Sequence, residues 1–226
     1  MTYVMSDIHG QSEKYNLMLE KISLCETDKL YILGDVIDGG DGGISVLLSM
    51  MKKRNIIPII GNHEYLALPV LKAIASGVPL NEVKKTKAYR TWAINGGAVT
   101  ASAFNTLNKN MQLETLEYIR SFSIYEEVEI SGRKYHLSHT LPSYDPDRDI
   151  HDVSCRDFIW GEPDYEKKYD KDIIFITGHT PTDLIDPAFP GRIWQGNGHI
   201  AVDCGAMYEG GRLGCICLDT MEEYYV

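Results

Sequence analysis

Residues 1–10 read Met1-Thr2-Tyr3-Val4-Met5-Ser6-Asp7-Ile8-His9-Gly10, a short apolar run that ends abruptly in a polar cluster. The run predicts a strand over Tyr3–Ser6, with Asp7 and His9 directly after it. The same arrangement recurs twice. Leu30–Leu33 precedes Gly34-Asp35-Val36-Ile37-Asp38-Gly39-Gly40, and Ile56–Ile60 precedes Gly61-Asn62-His63-Glu64. Gln11–Leu24 and Ile44–Lys53 between these runs read as amphipathic helices, and another helix starts near Glu64. Strand–helix alternation with short links predicts parallel βαβ units and an α/β fold. In an open α/β sheet, ligands bind at the carboxyl ends of the strands. The residues just after each apolar run are therefore where chemistry is expected.

From Pro69 to about Ser121 the pattern is mostly helical, with breaks at Gly77-Val78-Pro79 and Gly96-Gly97. Tyr125–Ile130 and Lys134–Ser138 flank Ser131-Gly132-Arg133, which suits a hairpin turn. Ile173–Thr177, His199–Asp203 and Gly214–Leu218 read as further strands, so the sheet structure is expected to be parallel at first and hairpin-linked later. Two of the later strands also run into histidines, at Leu137-Ser138-His139 and Thr177-Gly178-His179-Thr180-Pro181. The long polar segment Thr140–Asp172 has the length of a functional loop and is expected to overhang the site. No linker-like tract or repeat interrupts the chain, so residues 1–226 are read as one domain.

The formal net charge of −10 argues against a nucleic-acid or anionic-membrane partner, which would call for clustered Lys and Arg. It leaves an anionic substrate open, because bound cations can reverse the local sign of a site. The five cysteines are scattered, with no CxxC pair, and read as reduced thiols. Cys215 and Cys217 would share one face of a strand. No apolar run approaches the roughly 20 residues that span a bilayer, and a cytoplasmic location is expected.

Five strand ends would deliver Asp7, His9, Asp35, Asn62, His139 and His179 to one rim. Two carboxylates, an amide oxygen and three imidazoles, without a thiolate, suit Mn²⁺, Fe or Zn²⁺. Six such side chains exceed what one catalytic ion takes from protein, which points to two ions sharing a carboxylate. Each motif alone has an ordinary explanation: Asp or Asn beside Gly is common turn chemistry, and Gly34-Asp35 fits that description. His136, His151 and His199 read as structural or surface residues. The weight lies in all five motifs occurring in order, each after a strand-like run.

This ordered set resembles the calcineurin-like metallophosphoesterases. More narrowly it is similar to the phosphoprotein phosphatases, and among them to the compact bacterial and phage enzymes of the lambda type. Trp92–Gly97, Ile159-Trp160, Val202–Ala206 and Gly210–Leu213 also resemble stretches of that subgroup. The resemblance implies a four-layer α/β/β/α sandwich. It implies a first metal on Asp7, His9 and Asp35, and a second on Asp35, Asn62, His139 and His179, with Asp35 bridging. A hydroxide between two divalent ions, Mn²⁺ first among the candidates, would attack phosphorus. His63, oriented by Asp38, would donate the proton to the leaving oxygen, a role that suits an imidazole held by a carboxylate. Glu64 reads as structural.

The chain departs from the family where arginines usually clamp phosphate: it has Gly39, Ile60 and Glu162 instead. Arg90, Arg148, Arg156, Arg192 and Arg212 are the candidates to reach the same space. The implied activity is hydrolysis of phosphomonoesters, on phosphoserine or phosphothreonine in proteins or on small phosphoesters. The alternatives are symmetrical hydrolysis of a dinucleoside polyphosphate, and an inactive scaffold of the same fold.

Overall fold

A computed structural model describes residues 1–226. In chain order the elements of the first half are β1 (Thr2–Met5), α1 (Ser12–Lys21), β2 (Lys29–Leu33), α2 (Gly43–Met50), β3 (Ile56–Ile59) and α3 (Asn62–Ala75). Four helices follow: α4 (Leu80–Val83), α5 (Lys87–Ile94), α6 (Gly97–Thr106) and α7 (Lys109–Arg120). The second half holds β4 (Tyr125–Ile130), β5 (Arg133–Ser138), α8 (Asp157–Trp160), β6 (Ile173–Thr177), α9 (Thr182–Ile185), β7 (Trp194–Gly196), β8 (His199–Ala201), β9 (Gly214–Cys217) and β10 (Glu223–Tyr225). They form two five-stranded sheets, in the orders β10-β9-β1-β2-β3 and β4-β5-β6-β8-β7.

Period-two alternation builds the layers. Tyr3, Met5, Leu30 and Ile32 face a core shared with α1, α2, α3, α5, α6 and α7. Their neighbours Val4, Tyr31 and Leu33 point the other way and meet Tyr135, Leu137, Ile176 and Ile200 of the second sheet. The two sheets thus pack face to face. Cys215 and Cys217 lie together on the helix side with Ile216 between the sheets, and all five cysteines are free thiols. The result is the α/β/β/α sandwich, in which the layer outside the second sheet is thin. It consists of α8, a one-turn 3₁₀ segment at Ile150–Asp152 and the surrounding loop.

The hairpin expected around Ser131-Gly132 forms, and both residues adopt the positive φ that a tight two-residue turn requires. The second sheet is more parallel than expected, since β5 pairs β6 and β6 pairs β8 in parallel. The segment between β5 and β6 acts as the crossover that a parallel pair needs. No helix is long and apolar enough to cross a membrane.

Candidate metal centre

Because β1, β2 and β3 are parallel, and β5, β6 and β8 are parallel, each trio sends its carboxyl ends to one edge of its sheet. Asp7, Asp35 and Asn62 leave the first sheet there. His139 and His179 leave the second. Asp35 sits at the meeting point: its Oδ2 lies 3.7 Å from His9 Nε2, 3.7 Å from His63 Nε2 and 3.5 Å from His139 Nε2. Two sets of donor atoms able to hold an ion share it, His9–Asp35–His63 and Asp35–His139–His179. Asp7 Oδ1 lies 3.8 Å from His9 Nε2 and Asn62 Oδ1 lies 2.9 Å from His139 Nε2, so all six residues read from the sequence as metal-binding lie together, and Asp38 joins them through His63.

The local backbone is strained to achieve this. Asp7, His9, Asp35, Asp38 and His179 all have φ between 46° and 72°, a region that side chains other than glycine seldom occupy. Gly34 makes one such turn possible, because a Cβ there would lie 2.5 Å from the backbone of Gly61. Glu64 holds these loops together. It is fully buried on the first turn of α3, and its carboxylate accepts the backbone N–H groups of Asp35 (2.9 Å), Val36 (2.9 Å) and Gly61 (3.1 Å). That supports a structural role for it. The Asp7 carboxylate accepts the Ser6 hydroxyl and the His179 N–H at 2.9 Å.

The donor set fits divalent cations. The Asn62 amide oxygen faces His139 Nε2 at 2.9 Å, and His139 Nε2 faces His179 Nδ1 at 3.0 Å. In this orientation the amide oxygen meets only acceptors. His139 donates Nδ1–H to the Leu33 carbonyl at 2.7 Å, which leaves the Nε2 lone pair toward its neighbours. With the amide turned over, its NH₂ would donate to the same His139, His179 and Asp35 atoms, so what bears on a cation is the close gathering of carboxylate, imidazole and amide groups around Asp35. Charge repulsion points the same way. Burial and then the charges of Asp203 and Asp35 push the Asp7 carboxyl well above its usual range, and burial with Asp35 nearby raises Asp203 to about 7.

The histidines divide by charge state. Burial lowers His9, and burial together with neighbouring His139 lowers His179 to about 4, so both present neutral rings. Burial also opposes charge on His63, but the Asp35 charge and the Asp38 hydrogen bond outweigh it and raise its pKa to about 9. A protonated ring offers a proton rather than a lone pair. His63 Nδ1 donates to Asp38 Oδ2 at 2.8 Å. Asp38 is fixed in turn by Trp92 Nε1 at 2.5 Å and Thr100 Oγ1 at 2.6 Å. Trp92 was legible only as part of a familiar stretch, and Thr100 was missed altogether.

The cleft over this centre has a volume of about 430 Å³. Asp203, just past β8, lines it with His9, Asp35, Asn62, His63 and His179. No Lys or Arg does. Arg148 pairs with Asp157 at 3.1 Å, Arg156 and Arg192 lie over Trp160 and Phe189, and Arg212 donates to the Gly191 carbonyl. Arg90 is exposed on α5 and does not line the cleft. The expected replacement for the missing clamp is therefore not found among the five candidates. Ile60 is buried in the helix-side core. No residue of the Thr140–Asp172 segment lines the cleft, but the segment reaches the rim beside it, where the Tyr165 hydroxyl meets Thr177 Oγ1 at 3.0 Å and Trp160 packs on Tyr65. Leu141 and Phe158 pin that segment to Phe175 on the outer face of the second sheet, where it encloses a separate cavity of about 360 Å³.

A two-sheet sandwich with carboxylates and imidazoles on a shared rim defines a candidate binuclear metal centre. The calcineurin-like phosphoesterase model matches residues 2–205, and the chain belongs to that family. Among curated proteins it is similar to the symmetrical bis(5'-nucleosyl)-tetraphosphatase of Haemophilus ducreyi, 31 % identical over 37 % of this chain. It is also similar to an uncharacterized Methanocaldococcus jannaschii protein, 25 % identical over 64 % of this chain. These alignments span 32 % and 51 % of the two relatives' lengths. Among solved structures, a candidate diadenosine tetraphosphatase matches with a TM-score of 0.66 at 14 % identity, over 100 % of this chain and 92 % of that one. A Saccharomyces cerevisiae protein serine/threonine phosphatase matches at 0.61 and 13 % identity, over 95 % of this chain and 71 % of that one. At such identities these two likenesses concern the fold.

Proposed function

We propose that this chain is a single-domain hydrolase of phosphate esters acting at a pair of divalent ions, Mn²⁺ first among them. The observation that carries the reading is the convergence on Asp35, where the side chains of Asn62 and His179 each come within 3.0 Å of His139. Asp7, His9 and Asp35 would hold one ion, and Asp35, Asn62, His139 and His179 the other. Two such ions supply Lewis acidity that activates water and neutralises charge on the phosphoryl oxygens.

The remaining work falls to the chain itself. Asp38, held by Trp92 and Thr100, fixes the tautomer and direction of His63. His63 then keeps a proton on Nε2 and delivers it to the leaving oxygen, which matters most for esters with basic leaving groups. Glu64 keeps the Asp35 and Gly61 loops in register, so that the reacting groups meet in a fixed geometry. Phosphomonoesters, among them phosphoserine and phosphothreonine in proteins, are the substrates we favour, and the cytoplasm the location. Purified protein loaded with Mn²⁺ should turn over p-nitrophenyl phosphate. Absence of turnover there and on phosphopeptides refutes the reading.

A second reading, symmetrical cleavage of a dinucleoside tetraphosphate, is favoured by the named activity of the Haemophilus ducreyi relative. Chromatography of the products from diadenosine tetraphosphate decides it. An inactive scaffold is disfavoured by retention of every candidate ligand and of His63.

A further inference from the structure

Apart from the candidate metal-binding residues, His63 and Asp203, the cleft is lined by Ile94, Asn95, Gly96, Pro181, Met207 and Tyr208, with no basic side chain. Three large hydrophobic residues line it, Ile94, Met207 and Tyr208. Their exposures are 86 %, 39 % and 58 %, and Ile94 is the most exposed large apolar residue of the protein. The fold does not require this. On α5 the buried residues are Tyr89 and Trp92, and Ile94 lies off that face at the end of the helix. Gly96 then turns the chain with φ of 90° and backs onto Gly39, where a Cβ would lie 2.9 Å from the Gly39 nitrogen. Met207 also reaches this loop, with its Cε 3.3 Å from the position of a Cβ on Gly39. Leu184, also exposed, shares an adjoining cleft with Tyr208 and extends the apolar strip.

Exposed apolar side chains gathered at one cleft mark a surface that binds apolar material. The charges in the cleft sharpen this. Asp35 and Asp203 face it and no Lys or Arg does, so anionic groups beyond the one at the metal centre would meet no protein cation there. We infer that Ile94, Met207 and Tyr208 form a leaving-group subsite selecting phosphate esters of aromatic or aliphatic groups that bear no further negative charge. This rests on the phosphoesterase reading above and disfavours polyphosphates as substrates of the same cleft.

The test compares 2-naphthyl phosphate with phenyl phosphate, esters of similar leaving-group basicity that differ by one fused ring. With Mn²⁺-loaded protein, kcat/KM should favour the naphthyl ester by about five-fold, the worth of burying the extra ring. The Ile94→Ser/Met207→Ser/Tyr208→Ser variant should bring the ratio within about two-fold of unity, while Leu113→Ser, at an exposed leucine on α7 outside the cleft, keeps the wild-type ratio. Calorimetric affinities for 2-naphthylphosphonate and phenylphosphonate read the same ratio without turnover, so failure of the hydrolase reading and failure of the subsite are seen separately. A wild-type ratio near one in both measurements, or a ratio the triple variant leaves unchanged, overturns the inference.

Discussion

Strand β5 carries His136, and His139 follows one residue after its end, yet the two imidazoles do opposite things. His139 stands on the rim, donates one N–H to the Leu33 carbonyl and turns its other nitrogen to Asn62 and His179. His136 lies within the strand on the outer face, fully buried, stacked 4.8 Å from Tyr125 and 5.4 Å from Phe158. Neither of its ring nitrogens has a hydrogen-bond partner, and the nearest carboxylate, Glu127, stands 3.6 Å away. The outer face uses the ring as an aromatic plate, and the rim uses it as a source of lone pairs. Position relative to the strand's carboxyl end, rather than residue type, separates the two.

Replacements on the rim should therefore abolish function, and those on the outer face should touch only stability. Asp35→Asn removes the carboxylate both donor sets share. Turnover of p-nitrophenyl phosphate should fall by about 10³-fold or more, and bound metal should fall with it, read by elemental analysis. His63→Gln should cost roughly 10²- to 10⁴-fold, with larger losses on alkyl than on p-nitrophenyl esters and with metal content retained. An equal loss on both esters would remove His63 from proton delivery. Trp92→Phe, which deletes one of the hydrogen bonds on Asp38 while keeping the ring's bulk, should cost about ten-fold with the same preference for alkyl esters.

The outer face predicts a pH effect of definite sign. Burial lowers the His136 pKa to about 4, while in the unfolded chain it returns to about 6.5. Stability on this account is full above pH 6.5 and declines as pH falls from 6.5 to 4, because only the unfolded chain takes up the proton. His136→Phe should remove a decline of order 2 kcal/mol, measured as the difference in urea unfolding free energy between pH 7 and pH 4.5, with activity at pH 7 intact. His151→Ala, at an exposed ring near Glu127, should change stability by no more than about 0.5 kcal/mol.

Much of the rim could be read in advance because its logic is local. Each of Asp7, Asp35, Asn62, His139 and His179 follows an apolar run within two residues, and strand periodicity marks where each run stops. Asp203 obeys the same logic but was hidden, since the apolar pattern suggested a strand through Asp203 whereas β8 stops at Ala201. Trp92 and Thr100 lie 54 and 62 residues from Asp38, and no local pattern encodes a contact at that separation. The short edge strands β7 and β10 leave no readable period in the sequence, because three residues are too few to carry one. The Asn197-Gly198 turn, with both residues at positive φ, was the available clue to β7. The polar composition of Thr140–Asp172 does not reveal that a few apolar residues, Leu141 and Phe158 among them, pin part of it to the outer face of the second sheet.

If Asp35 organises the rim as one binuclear centre, its loss must be visible in the metal content of the protein. Native mass spectrometry after Mn²⁺ loading and desalting tests it most directly, comparing wild type with Asp35→Asn. Two ions per chain in the wild type, with loss of at least one in the variant, is the predicted result. Fewer than one ion per wild-type chain, or an unchanged count in the variant, would mean that Asp35 does not hold a shared pair of ions.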